Sequence, residues 1–244
     1  MSEISRMQPI IPDEVRIQRE RYSRIAPEYE RVHADPEHVL ALAFLEGMLG
    51  YLQAASLLDV GAGTGRTIRH LLRSRPEMRL VGIEPVAELR QVGHHLGVSE
   101  DQLRDGNGYE LAFRDGEFDV VCEFGVLHHV RDPNRVVAEM LRVARKAIFI
   151  SDMNNFGGGA RPVRLLKQVL HTLGLWKAVN FLKTGGRGYS ITAGDGLFYS
   201  YSVFDSLPLI DKHCVATHLL NTLPAGPNLY RTSAHVALLG VKQI

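Results

Sequence analysis

The stretch "LLDVGAGTGRT", Leu57 to Thr67, decides the fold. Its apolar run ends in Asp59, and glycines follow at alternate positions, Gly61, Gly63 and Gly65. Glycine is needed where a backbone must turn tightly and approach a ligand, so this reads as the turn after the first strand of an α/β sheet. A dinucleotide fingerprint places its third glycine three residues past the second. Here it comes two residues past, and a carboxylate precedes the turn. Asp59 would repel a pyrophosphate but suits a ligand's ammonium group. The turn therefore points to a ligand that lacks phosphate and carries a cation.

Outward from this turn, apolar runs alternate with helical spacing. Strands are predicted at "SLLDV" (56–60), "RLVGIE" (79–84), "EFDVVCEF" (117–124) and "KAIFISD" (146–152), with a short, weak one near Gln102–Asp105. Helices are predicted between them at "TIRHLLRSR", "AELRQVGHHLG" and "PNRVVAEMLRVA", and before them over 12–31 and 37–53. Such alternation implies right-handed crossovers and a doubly wound, mostly parallel sheet with helices on both faces. Two closing runs, 213–222 and 233–244, have no long helix between them and are expected to pair antiparallel at one edge. The chain thus divides into lid helices (1–50), a ligand-binding core (51–155), an insertion (156–206) and closing strands (207–244). About fifty inserted residues are long for a connection and suggest a cap.

Composition sets bounds. The chain has 244 residues, 45% of them hydrophobic, which suits a single α/β domain. A formal charge of +1 directs it to neither nucleic acid nor membrane. Cys122 and Cys214 sit in apolar strand-like runs and read as buried reduced thiols. The first residues lack the apolar core of a signal peptide, and no apolar run approaches the ~20 residues that span a bilayer. A soluble, cytoplasmic protein is expected.

Glu84 ends the second strand, about twenty residues past the last glycine, where a carboxylate accepts hydrogen bonds from ribose hydroxyls. Ribose together with a cationic end points to S-adenosylmethionine. At these residues the chain resembles the class I, Rossmann-like S-adenosylmethionine-dependent methyltransferases, and is similar to their small-molecule, ubiquinone/menaquinone-type branch. "LLDVGAGTG" resembles the family's first motif and "GNGYELAFRDGEFDVV" its adenine motif, with Ala112 in place of the usual proline. "VLHHVRDP" resembles the segment after the fourth strand, and "RYSRIAPEYERV" the tyrosine-bearing helix that folds over the cofactor. The resemblance covers roughly residues 20 to 155 and, by topology, the closing strands. It implies a seven-stranded sheet in the order 3-2-1-4-5-7-6 with the last strand antiparallel.

The resemblance also distributes roles. Asp59, Gly61, Ala62, Gly63 and Gly65 would meet the methionine end, with Glu123 and Phe124 nearby. Glu84 would hold the ribose, with Pro85, Asn107 and Gly108 beside the adenine. Tyr22 and Tyr29, seven residues apart and so on one helix face, would close the lid. His128 and His129 are candidates for a base or for positioning the acceptor. Asp152 and Asn155, in "SDMNN", together with Glu123 are similar to the magnesium site of catechol methyltransferases, a different branch. No metal is expected, and these residues are read as loop caps and substrate contacts.

In the insertion, Leu166, Val169, Leu170, Leu173 and Trp176 share one stripe, which implies packing on the main domain, on a partner subunit in a homodimer or on an apolar substrate. Between 156 and 200 six cations face one acid, Asp195. Arg187 in "GGRGYS" offers a fork for an anionic acceptor, with Tyr189, Tyr199 and Tyr201 lining its pocket. The expected reaction is methyl transfer to a small-molecule hydroxyl oxygen, with nitrogen or carbon as the alternative atom. Two other readings stand beside it: an NAD-dependent oxidoreductase, and a non-catalytic cofactor-binding protein. The D/N-P-P-Y/F motif of nucleic-acid amine methylation is absent after the fourth strand.

Overall fold

A seven-stranded sheet forms the frame of the computed structural model, which describes residues 13–32, 36–223 and 226–243. Its strands are β1 (Ser56–Val60), β2 (Arg79–Ile83), β3 (Leu103–Arg104), β4 (Phe118–Phe124), β5 (Ala144–Met153), β8 (Ala216–Asn221) and β9 (His235–Val241). A separate hairpin holds β6 (Tyr189–Thr192) and β7 (Gly196–Tyr199). The sheet order is β3-β2-β1-β4-β5-β9-β8. Without the hairpin this is the expected 3-2-1-4-5-7-6. β9 runs antiparallel to both its neighbours, β5 and β8.

The helices are α1 (Asp13–Ile25), α2 (Tyr29–Val32), α3 (Pro36–Tyr51), α4 (Arg66–Ser74), α5 (Ala87–His95), α6 (Pro133–Val143), α7 (Arg161–Thr172), α8 (Trp176–Lys183), α9 (Leu207–Ile210) and α10 (Leu229–Thr232). Strands covered on both faces read as continuous apolar runs, and successive side chains divide between the faces. Leu57, Val120 and Phe149 pack with Leu45 and Leu49 of α3 and Ile68 and Leu71 of α4. Leu58, Val121 and Ile148 pack with Val136, Val137 and Met140 of α6 on the other side. Asp132 caps α6 by accepting from Arg135 N, with Pro133 in the first turn, where its missing N–H costs nothing.

Three expectations change. The predicted 12–31 helix breaks: Pro12 lies outside the described residues, and a 3₁₀ turn at Ala26–Glu28, carrying Pro27, separates α1 from α2. Tyr22 and Tyr29 therefore share no helix face, yet the turn brings their rings together edge to face at 6.1 Å. The first closing strand begins at Ala216 rather than residue 213, because 211–213 form a turn after α9. The second ends at Val241, and Ile244 lies outside the described residues. The insertion's apolar stripe divides: Leu166, Val169 and Leu173 are more than half exposed, whereas Leu170 and Trp176 are half-buried. Both cysteines are free, with Cys122 buried and Cys214 partly so. No helix among the described residues is long and apolar enough to cross a membrane.

Candidate active site

The glycine turn leaves β1 at the carboxyl edge of the sheet. Gly61 N and Ala62 N both donate to Ile83 O, at 2.8 and 2.9 Å, and this folds the turn back on β2. Gly61, Gly63 and Gly65 have φ of +71°, +56° and +73°, a region that costs side-chain-bearing residues strain. Space forbids a side chain as well. A Cβ on Gly61 would stand 2.4 Å from a Val126 methyl, and one on Gly63 would stand 3.1 Å from the Tyr29 hydroxyl.

Two buried carboxylates flank the turn. Burial raises Asp59 to about 6, against a hydrogen bond from Thr67. Glu84 is pushed up to about 7 by burial, although each of its oxygens accepts a backbone bond, Oε2 from Gly63 N at 3.0 Å and Oε1 from Val86 N at 2.8 Å. A carboxylate oxygen has lone pairs to spare beyond one such bond.

Above the turn lies a cavity of about 270 Å³. Tyr22, Tyr29, Asp59, Gly61, Ala62 and Phe124 line it, as do both histidines. So do residues that the sequence reading missed, among them His38, Arg66, Ser151, Met153, Asp195 and His235. Its roof is a clasp between α1 and the β6–β7 hairpin. Arg21 donates to Ala193 O at 2.7 Å and Gly194 O at 2.5 Å, and Gln18 Oε1 accepts from Leu197 N at 2.8 Å. Gly196 lies at φ +73°, where a Cβ would strike Arg21 at 2.3 Å. This clasp brings Asp195 over the histidines.

The two histidines differ in charge. His128 Nδ1 donates to Asp152 Oδ1 at 2.6 Å, and Nε2 faces Asp195 Oδ1 at 3.4 Å. Burial opposes its charge, but the two carboxylates win and raise it to about 10. His129 is pushed down to about 3 by burial and by the neighbouring His128 cation. Its Nδ1 faces Leu197 O at 2.6 Å and the Gln18 amide nitrogen at 3.0 Å; the carbonyl is nearer and can only accept, so Nδ1 carries the proton given to it. Nε2 then accepts from the Tyr22 hydroxyl at 3.0 Å. His128, His129 and Asp195 could hold a metal ion, since three of their donor atoms lie within 4.8 Å of one another. Each nevertheless has a protein partner that accounts for its position.

Several predicted site residues stand elsewhere. Asp152 is fully buried and spent inside the protein: Oδ2 accepts from Leu127 N and Oδ1 from Met153 N, besides the bond to His128. The His128 cation holds its carboxyl low against the effect of burial. Asp152 holds the His128 ring and lies outside the cavity lining. Glu123 is equally buried, accepts from Val126 N and Ser151 N, and is raised by burial and by Asp152. Asn155 ties β5 to the insertion through Ser200. Tyr201 is a core residue bonded to Ser206 and lies outside the cavity lining. Arg187 is exposed, with its guanidinium 5.8 Å from the Tyr189 ring, and both lie outside the cavity lining. Tyr199 stacks edge-on with Tyr189 at 6.0 Å. Asn107 is exposed and closes its own turn by accepting from Tyr109 N. Gly63, Gly65, Glu84, Pro85 and Gly108 lie outside the cavity lining, with Glu84 joined to the glycine turn through Gly63 N.

Comparison with known proteins fits this geometry. Residues 58–150, from β1 to β5, match the methyltransferase-domain family. The matched segment is less than half of the chain. A phosphatidylethanolamine N-methyltransferase of Cereibacter sphaeroides is 30% identical over 130 residues, 47% of this chain and 57% of that protein. The chain spans about half the length of the curated relatives it matches first. Among solved structures, a 1,6-didemethyltoxoflavin-N1-methyltransferase of Burkholderia thailandensis, with S-adenosylhomocysteine bound, superposes with a TM-score of 0.61 and 17% identity over 97% of this chain and 93% of that one. A possible histamine N-methyltransferase of Thermotoga maritima gives 0.60 and 19% over 91% and 98%. The described residues therefore share the fold of these two solved proteins, and the α1 lid and the cap complete the cavity.

Proposed function

We propose that the protein transfers a methyl group from S-adenosylmethionine to a hydroxyl oxygen of a small molecule. The observation that carries this reading is one cavity with two chemistries. A glycine cradle and Asp59 stand at one end, and the Asp152–His128–Asp195 array stands at the other.

Bound there, the cofactor would supply a sulfonium methyl that is already activated. Asp59 would take its ammonium group, with Gly61 and Ala62 beneath it. Glu84 would accept from the ribose hydroxyls through the lone pairs its backbone bonds leave free. Pro85, Asn107 and Gly108 would border the adenine, and Phe124 the methionine portion. Tyr22 and Tyr29 would exclude water. A hydroxyl acceptor under Asp195 meets Nε2 of His128, which takes its proton when unprotonated, while Asp152 fixes the ring and stabilises the imidazolium. The rest is placement of the acceptor in line with the methyl. No step needs a metal.

A second reading, transfer to nitrogen, draws on the N-methyltransferase names of the relatives above. An uncharged amine acceptor needs no base, which separates the two. With the acceptor found by a mass-spectrometric screen for methylated metabolites, His128→Asn should lower kcat about 10²-fold or more if a base is used. Affinity for S-adenosylhomocysteine should stay within a factor of two to three. An unchanged kcat would remove the base and favour nitrogen.

A further inference from the structure

Helix α7 of the insertion is turned inside out. Polar side chains of α7 face the protein: Gln168 donates to Phe156 O at 2.9 Å, Lys167 to Gly158 O at 2.9 Å, and His171 stacks on Phe156 at 4.1 Å. On α8, Trp176 turns inward and donates to Ser200 Oγ. Apolar side chains face outward. Leu166, Val169 and Leu173 on α7, Leu175 between the helices, and Phe181 and Leu182 on α8 are 49–78% exposed. An exposed apolar face of this size marks an interaction surface.

Charge identifies the partner. From Phe156 to Gly194 the chain has six cations and no acid, and Arg161, Lys177, Lys183 and Arg187 are exposed. A second copy docking on this face by a two-fold axis would meet the same cations, with no acid in the segment to pair with them. An anionic lipid surface satisfies both features, because acyl chains take the leucines and headgroups take the cations. We infer that α7 and α8 lie in the interface of an anionic membrane. The net charge of +1 conceals this, since the cations are gathered on the insertion. The hairpin whose tip carries Asp195 follows α8 directly, so the docked helices adjoin the roof of the cavity. The inference does not depend on the proposed methyl transfer.

The test is vesicle flotation of the full chain, with phosphatidylcholine vesicles and with equimolar phosphatidylcholine and phosphatidylglycerol. The protein should float with the anionic vesicles, remain behind with the neutral ones, and be released by high salt. Leu166→Glu/Leu173→Glu should abolish flotation without lowering the melting temperature, because both side chains are already outside the core. Lys177→Glu/Lys183→Glu should weaken it about tenfold or more. No flotation, or flotation that neither pair of substitutions changes, overturns the inference. So does sedimentation velocity showing, without lipid, a dimer that Leu166→Glu/Leu173→Glu dissociates.

Discussion

His128 sits between two carboxylates of different kinds. Asp152 is fully buried and belongs to β5, whereas Asp195 reaches in from the tip of the cap hairpin. Both hold the proton on the ring, so the base form grows as pH rises toward about 10. The reaction rate should therefore climb with pH over that range. Asp195→Ala removes one of the groups that raise the pKa and should move the rising limb to lower pH. A limb that stays in place would show that Asp195 does not act through His128. Stability carries the opposite sign. The ring holds its proton to about 10 when folded against 6.5 for a free histidine. Its stabilising contribution is complete below pH 6.5 and lost as pH rises through 10. Melting curves of the protein and His128→Asn should converge toward high pH. At this scale the sequence was half legible. "VLHHVRDP" marked the histidines, but not which one is charged. Asp152 was legible as an acid ending β5, but not the engagement of its oxygens within the protein. Asp195 was visible only as the single acid in a basic insertion.

At the level of elements, strands read well because both faces are covered and their apolar runs are continuous. Amphipathic helices read less well. Periodicity shows that α7 has an apolar face, but not whether that face turns inward, and here it turns outward. The β6–β7 hairpin left almost no signal, being short and glycine-rich. Its role is to meet α1 over the cavity, and Gly196 is the point of contact. Gly196→Val should force the clasp open and cost about 1–3 kcal/mol of strain if the hairpin stays in place. Urea melts together with limited proteolysis at the hairpin would register either outcome. Unchanged stability and protection would mean that the clasp is not a fixed part of the structure.

For the whole molecule, the order of strands around β1 brings the glycine turn, the end of β4 and the end of β5 to one sheet edge, with the lid closing from before β1 and the cap from the insertion after β5. The resemblance anticipated the sheet, since its motifs mark β1 and β4 and the alternating apolar runs mark the strands around them. It left the cap open, because no motif covers residues 156–206. The ion-pair account of His128, His129 and Asp195 predicts that dialysis against EDTA leaves turnover unchanged, and loss restored by a divalent metal would replace it with a metal site. The central claim is that this cavity holds S-adenosylmethionine. Isothermal titration calorimetry with S-adenosylhomocysteine and, separately, NADH tests it directly, on the protein and on Glu84→Ala. Single-site binding of S-adenosylhomocysteine, tighter than that of NADH and at least tenfold weaker in Glu84→Ala, is predicted. Absence of S-adenosylhomocysteine binding, or tighter binding of NADH, would contradict the account.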